Sequence, residues 1–240
     1  TEVNNANHFI EGGNDLLAQS TGRFVRMEEG HPIGYFYGYK TDGVIQNQND
    51  LQAYLDQNCK GNAANSKQGA SIKPGDLKFV DVDGNGVIND DDKTDLGNPH
   101  PDVTMGLTLS AEYKGFDFSV LLQGVAKVKG MLSVYAGHAF YQEGNIQKWQ
   151  MENCWNVQQD NRYPEYPRLE IMSNAGSNNT LTSDFWVLDA SFLKVRNVQL
   201  GYTLPEHIVK KFGSTGMRFY VSLDDPLTFK GYRKGWDPEN

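Results

Sequence analysis

The densest group of metal-ligating side chains lies in one twelve-residue stretch, Asp81-Val82-Asp83-Gly84-Asn85-Gly86-Val87-Ile88-Asn89-Asp90-Asp91-Asp92. Its oxygens recur at the first, third, fifth and ninth positions, which are Asp81, Asp83, Asn85 and Asn89. Gly86 stands sixth, where a calcium loop turns sharply, and Val87 stands seventh, where the backbone carbonyl is the ligand. The twelfth position is Asp92 in place of the usual Glu, which shortens the reach toward the ion. The spacing therefore predicts a calcium site with Asp81, Asp83, Asn85, Val87, Asn89 and Asp92 as ligands, in a structural role. Ile88 is expected to anchor the loop to the fold. Magnesium fits less well, because it seldom takes an all-protein cage. Asp-Gly-Asn-Gly is also good turn sequence, so an acidic surface turn remains the alternative.

Nothing else in the chain groups residues for chemistry. His8, His31, His100, His138 and His207 are scattered, without a His-Glu-x-x-His pair. No Gly-x-Ser-x-Gly elbow or phosphate-binding glycine loop occurs. Ser191-Phe192-Leu193-Lys194 matches Ser-x-x-Lys in form, but at the entry to a strand, where Ser and Lys diverge. Glu28-Glu29 and Asp224-Asp225 are adjacent and, in strands, face opposite ways. The expectation is a protein that binds and is not an enzyme. Cys59 and Cys154 could pair in an oxidising compartment, but spacing alone does not decide it.

The elements around the loop are read from periodicity. Val103, Met105, Leu107, Leu109, Ala111 and Tyr113 alternate with Thr104, Gly106, Thr108, Ser110 and Glu112. After Lys114-Gly115 the apolar phase moves to Phe116, Phe118, Val120 and Leu122, which reads as a tight β-hairpin. Val198, Leu200, Tyr202 and Leu204 form a second alternating run, ended by Pro205; Met217, Phe219, Val221 and Leu223 form a third. Gly34–Tyr39 reads as a strand with two close-packing glycines, Gly34 and Gly38, and residues 50–57 as a short helix capped by Asn49 or Asp50. Residues 58–72 read as a loop.

A strand apolar on one face and polar on the other suits a sandwich, and equally a barrel with lipid outside and water inside. Soluble sheets are commoner, but runs of about ten residues match a tilted membrane strand better than the usual five or six. Residues 125–190 separate the pairs with many aromatic, Asn and Gln residues and no clear period. Short turns at one end and long loops at the other are the asymmetry of outer-membrane barrels. Trp149, Trp155, Trp186 and Trp236 read as an interfacial girdle or loop packing, or else as platforms for sugar rings. The net charge of −8 argues against nucleic acid. No apolar run approaches a membrane-spanning helix.

Six segments carry a family resemblance. They are 30–44 (GHPIGYFYGYKTDGV), 74–86 (PGDLKFVDVDGNG), 96–101 (LGNPHP), 192–205 (FLKVRNVQLGYTLP), 224–229 (DDPLTF) and 235–239 (GWDPE). Together, and in this order, they resemble the signatures of the SusC/RagA family of TonB-dependent outer-membrane transporters. The resemblance implies an all-β fold: part of an antiparallel transmembrane β-barrel with long extracellular loops and short periplasmic turns. It implies that residues 1–240 belong to the C-terminal half of that barrel and contribute five to seven strands, with signal peptide, plug and final strand absent. Lys114-Gly115 and residues 205–216 would be the periplasmic turns. Residues 42–102, 125–190 and 225 onward would be extracellular. It further implies TonB-driven uptake of glycans, oligosaccharides or peptides through the outer membrane of a Gram-negative cell, with a SusD-like surface lipoprotein over the barrel and TonB acting through the plug. A secreted, calcium-braced β-sandwich that binds carbohydrate is the alternative.

Overall fold

The computed structural model describes residues 25–26, 30–158, 163–170 and 178–231. In chain order the strands are β1 (Val25–Arg26), β2 (Tyr35–Tyr39), β3 (Thr41–Val44), β4 (Leu77–Phe79), β5 (Lys93–Gly97), β6 (Val103–Tyr113), β7 (Phe116–Ala126), β8 (Lys129–Met131), β9 (Val187–Asp189), β10 (Phe192–Thr203) and β11 (Arg218–Lys230). The α-helices are α1 (Gln48–Asn58), α2 (Val134–Gly137), α3 (Lys148–Asn153) and α4 (Glu206–Val209). No helix among the described residues is long and apolar enough to cross a membrane. The chain divides into one unit of Thr1–Pro99 with Met131–Leu188 and a second of His100–Gly130 with Asp189–Asn240.

The second unit is a four-stranded antiparallel sheet in the order β11-β10-β7-β6. Lys114 and Gly115 both take positive φ (47° and 86°), the geometry of a two-residue hairpin turn whose twist matches the strands it joins. The register then puts like with like: Leu107 faces Leu122, Leu109 faces Val120 and Tyr113 faces Phe116 across β6 and β7. Phe118 faces Leu200, and Leu200 faces Val221. All four apolar phases therefore fall on one face.

Two strands are longer than their alternation indicates. β10 starts at Phe192 and β11 runs on to Lys230, beyond position 225 where a loop was expected. The cause is one irregularity shared by both strands. Arg196 is an extra residue between Val195 and Asn197, opposed by Asp225 and Pro226 between Asp224 and Leu227. The insertion reverses the phase, from odd apolar positions (Leu193, Val195) to even ones (Val198, Leu200, Tyr202). Asp225 has φ 48°, and Pro226, with no N–H to offer a ladder, is tolerated at such a bulge. The expected five to seven barrel strands are four long ones among the described residues. They form an open sheet edged by β6 and β11, not a closed barrel.

The first unit packs around Tyr39, Val44, Ile45, Leu51, Tyr54, Leu55, Cys59, Ile72, Leu77, Phe79 and Ile88. Its central helix starts earlier than expected. Asn47, not Asn49 or Asp50, is the cap, and its side chain accepts from the Asp50 N–H at 3.0 Å. Leu51, Tyr54 and Leu55 fall on one helical face and are buried. Residues 58–72, expected as plain loop, include 3₁₀ turns at Ala63–Asn65 and Gly69–Ser71. Gly38 is needed for close approach, since a Cβ there would lie 2.3 Å from the Thr182 carbonyl oxygen, whereas nothing crowds Gly34.

The described parts of the aromatic-rich 125–190 segment are packed and not an open loop. Trp186 is fully buried among Phe185, Tyr166 and His138, and donates its indole N–H to the Asn179 carbonyl at 2.7 Å. Trp149 meets Tyr166 edge-on, and Trp155 packs on the core. These three tryptophans are loop packing; Trp236 lies outside the described residues. Asp76, Arg168 and Asn179 tie the segment to β4. The Arg168 guanidinium reaches the buried Asp76 carboxylate at 2.5 Å, and Asn179 donates to Asp76 at 2.8 Å while accepting from the Leu77 N–H. Cys59 and Cys154 are both free, and burial pushes the Cys59 thiol up to about 11.

His138 is buried against Trp186, and neither ring nitrogen has a hydrogen-bond partner. Burial disfavours the charged ring and lowers its pKa to about 4. The unfolded chain, with an ordinary histidine near 6.5, binds more protons between these values, so acid favours unfolding there. Unfolding of the intact chain followed by tryptophan fluorescence should thus lose stability as the pH falls from about 6.5 to about 4. A His138→Gln variant should lose less over that interval, and an unchanged slope would contradict the assignment.

Candidate functional site

The aspartate loop leaves β4 and returns into β5. It is folded by its own side chains. Asp81 accepts the N–H groups of Gly84 and Gly86 at 2.9 and 2.7 Å, and Asp83 accepts that of Asn85 at 2.9 Å. Asn85 accepts from the Val87 N–H at 2.7 Å, and Asn89 from the Asp91 N–H at 2.6 Å, capping a 3₁₀ turn over Asp90–Asp92. Asp92 is fully buried and accepts the N–H groups of Val82 and Asn89 at 2.7 and 2.8 Å. Gly84 and Gly86 sit at φ 74° and 75°, which glycine adopts without strain. Ile88 is 4% exposed within the core, and its N–H donates to the Asn65 carbonyl, so the expected anchor is in place.

Three of the six expected ligands come together through their carboxylates. Asp81, Asp83 and Asp92 each place an oxygen within 4.8 Å of the others, and no other His, Cys, Asp or Glu group among the described residues does so. Asn85 and Asn89 have their side-chain oxygens on backbone N–H groups, and a carbonyl-type oxygen retains a second lone pair. Burial opposes ionisation of Asp81, but the N–H bonds from Gly86 and Gly84 outweigh it and hold its carboxyl below the usual range. Asp90 points elsewhere. It takes the Tyr39 hydroxyl at 2.8 Å and pairs with Lys67 and Lys93, and these bonds hold its carboxyl low. The donor set is hard oxygen throughout, which suits calcium.

The sheet presents the other functional surface. On its apolar face Met105, Leu107 and Leu109 are 50–52% exposed, Leu200 is 52% and Val221 66%. The inner face of a sandwich would be covered. Eleven residues of β6 or β7 rise about 36 Å, or about 26 Å at a 45° tilt, close to the roughly 25 Å apolar band of an outer-membrane barrel.

The opposite face is polar and carries contacts that alternation alone does not reveal. Arg196, the bulge residue, donates to Gln123 of β7 at 2.8 Å and pairs with Asp225 of β11 at 3.2 Å. Asn197 donates to Ser222 and Asp224, each at 2.7 Å. Asp117 of β7 and Arg218 of β11 pair across the intervening β10. They do so over Gly201, where a Cβ would stand 2.5 Å from the Asp117 carboxylate. The only signals for these residues are the broken alternation at Asp224-Asp225-Pro226 and a glycine in a polar phase.

The remaining candidates stay apart. His31 lies 3.4 Å from Asp95, His138 is buried, and His8 is outside the described residues. Ser191 immediately precedes β10, and Lys194 lies within it, so Ser-x-x-Lys is not on a helix.

No protein-family model matches the chain. Over 96% of its length it is 33% identical to TonB-dependent receptor P3 of Formosa agariphila, and the match covers 21% of that protein. It is 27% identical over its full length to TonB-dependent receptor SusC of Bacteroides thetaiotaomicron, covering 20% of that protein. The fold superposes on the structure of the RagAB peptide transporter with a TM-score of 0.58, at 19% identity, over 90% of this chain and 21% of that one. The RagAB peptide importer in its open-open state gives 0.54 at 22% identity, with the same coverages. The chain thus spans about a fifth of the length of the curated relatives it matches. Along nearly its whole length the chain is similar to curated TonB-dependent receptors, and its fold is similar to that of RagAB.

Proposed function

We propose that the chain forms part of the barrel of a TonB-dependent receptor that imports glycans, oligosaccharides or peptides across the outer membrane of a Gram-negative bacterium, without covalent chemistry. The observation that carries this reading is the four-stranded sheet with one continuous exposed apolar face and one polar face. A lipid-facing surface and a water-facing lumen call for that division. Relationship to receptors named TonB-dependent supports it. On this reading a SusD-like lipoprotein covers the extracellular mouth, and TonB acts through a plug region of the complete receptor. On this reading turns at 114–115 and 205–216 face the periplasm, and residues 42–102 and 125–190 are extracellular.

The aspartate loop holds calcium in this reading. Asp81, Asp83, Asn85, Asn89 and Asp92 supply side-chain oxygens, and Val87 its carbonyl. The ion offsets the repulsion of three converged carboxylates and braces the segment between β4 and β5.

Two measurements test these statements. Cells expressing the complete receptor should take up a labelled oligosaccharide or peptide pool only when TonB is intact; equal uptake without TonB contradicts the transport role. Calcium should raise the melting temperature of the complete receptor, and the shift should vanish in Asp81→Ala and shrink in Asp83→Asn. An undiminished shift in both variants contradicts the loop assignment.

A further inference from the structure

At one end of the second unit the four strands meet two turns, the 114–115 hairpin and residues 205–216. The Gly115 carbonyl accepts the Thr203 N–H at 2.7 Å, and the Met217 carbonyl accepts the Leu204 N–H at 2.9 Å, so the turns close side by side. At this end each strand places one aromatic residue on the apolar face. Tyr113 faces Phe116, Phe116 faces Tyr202, and Tyr202 faces Phe219, which makes an unbroken lateral row. The Phe116 and Tyr202 ring centroids are 4.5 Å apart, and Tyr113, Phe116 and Phe219 are exposed. Aromatic girdles edge the apolar band of an outer-membrane barrel where hydrocarbon gives way to headgroups.

Cations stand just beyond this row. Lys114 follows Tyr113 in the chain, and its ammonium lies 5.1 Å from the centroid of that ring, beside the apolar face. It has no carboxylate partner among the described residues. Lys211, in the 3₁₀ turn Lys210–Phe212 after α4, is exposed and has no carboxylate partner among the described residues either. Lys210 pairs with Glu206 at 3.0 Å. The two turns thus hold three lysines against one acid, in a chain whose net charge is −8. The neighbouring Arg218 is committed to Asp117 on the polar face, where the alternation also places Glu112.

We propose that these two turns, through Lys114 and Lys211, form an interaction surface for the headgroups of anionic phospholipids. The inference rests on the barrel reading, which gives the apolar face to lipid, and adds a headgroup preference to it. Acyl chains lie against Leu109, Leu200 and Val221, and the phosphate then falls beyond the aromatic row, at the height of the lysines. A lysine stem lies along apolar surface while its ammonium reaches the headgroup layer, and the ammonium takes phosphate as a compact point charge. A zwitterionic head brings its own cation, which opposes this attraction; an anionic head does not. Each lysine near an anionic lipid surface contributes about a fivefold gain in binding.

The test takes the complete receptor in detergent and titrates it with phosphatidylglycerol, phosphatidylcholine or inorganic phosphate. Native mass spectrometry reads what is bound to the parent, Lys114→Gln, Lys211→Gln and Lys148→Gln. Lys148 is the control, an exposed lysine of α3 outside the two turns. Lys114 and Lys211 are exposed too, so melting curves should be unchanged. Phosphatidylglycerol should bind more tightly than phosphatidylcholine, about fivefold less tightly to Lys114→Gln and to Lys211→Gln, and undiminished to Lys148→Gln. Equal binding of the two lipids, or phosphatidylglycerol binding unchanged in both turn variants, would overturn the headgroup site and leave the barrel reading standing. Inorganic phosphate held as tightly as phosphatidylglycerol would overturn the lipid as the occupant. No lipid of either kind retained contradicts the barrel reading, and the inference with it.

Discussion

A sheet face that is apolar from edge to edge must be covered by something other than water. In this chain that face runs over four strands without interruption, and Leu107, Leu109, Leu200, Leu223 and Leu227 on it remain about half exposed. Contiguous apolar patches of this extent are rare on soluble monomers and mark an interaction surface. Much of the rest follows from that constraint. The strands must be long enough to present a band of lipid height. The bulge must keep its extra residue, Arg196, on the polar side. The charged pairs must lie on the opposite face, where water is available. A hairpin of two positive-φ residues closes one end tightly.

The first unit solves a different problem. It has a conventional buried core, and three devices hold its long segments: the Asp76–Arg168–Asn179 network, the Trp186 aromatic cluster and the aspartate loop anchored by Ile88. The loop's backbone N–H groups are largely satisfied by its own carboxylates, so its shape is set by the chain. A bound cation would add charge compensation more than shape.

Much of this was legible in the sequence, and the failures have identifiable causes. Alternation located β6 and β7 and the Lys114-Gly115 turn because the ladder there is regular. It truncated β10 because the inserted Arg196 reverses the phase, and β11 because Asp224-Asp225-Pro226 looks like a terminator when it is a bulge. The calcium template found Asp81, Asp83 and Asp92 because the spacing of a tight loop is itself the geometry. It did not foresee that Asp90 would turn outward to Tyr39 and two lysines. Segment 125–190 has no period because its order comes from long-range contacts, such as Arg168 with Asp76, which no local pattern encodes. The Asp117–Arg218 pair across Gly201 was hidden for the same reason.

The account depends most on which face of the sheet meets lipid. Nitroxide labels placed singly at Leu107, Leu109, Leu200 and Val221, and at Thr108, Gln199 and Ser222, would read this directly in the complete receptor reconstituted in bilayers. The first set should collide with dissolved oxygen and be shielded from a water-soluble nickel chelate, and the second set should show the reverse. Equal chelate access on both faces, or shielding of the threonine, glutamine and serine positions in place of the leucines and valine, would contradict it.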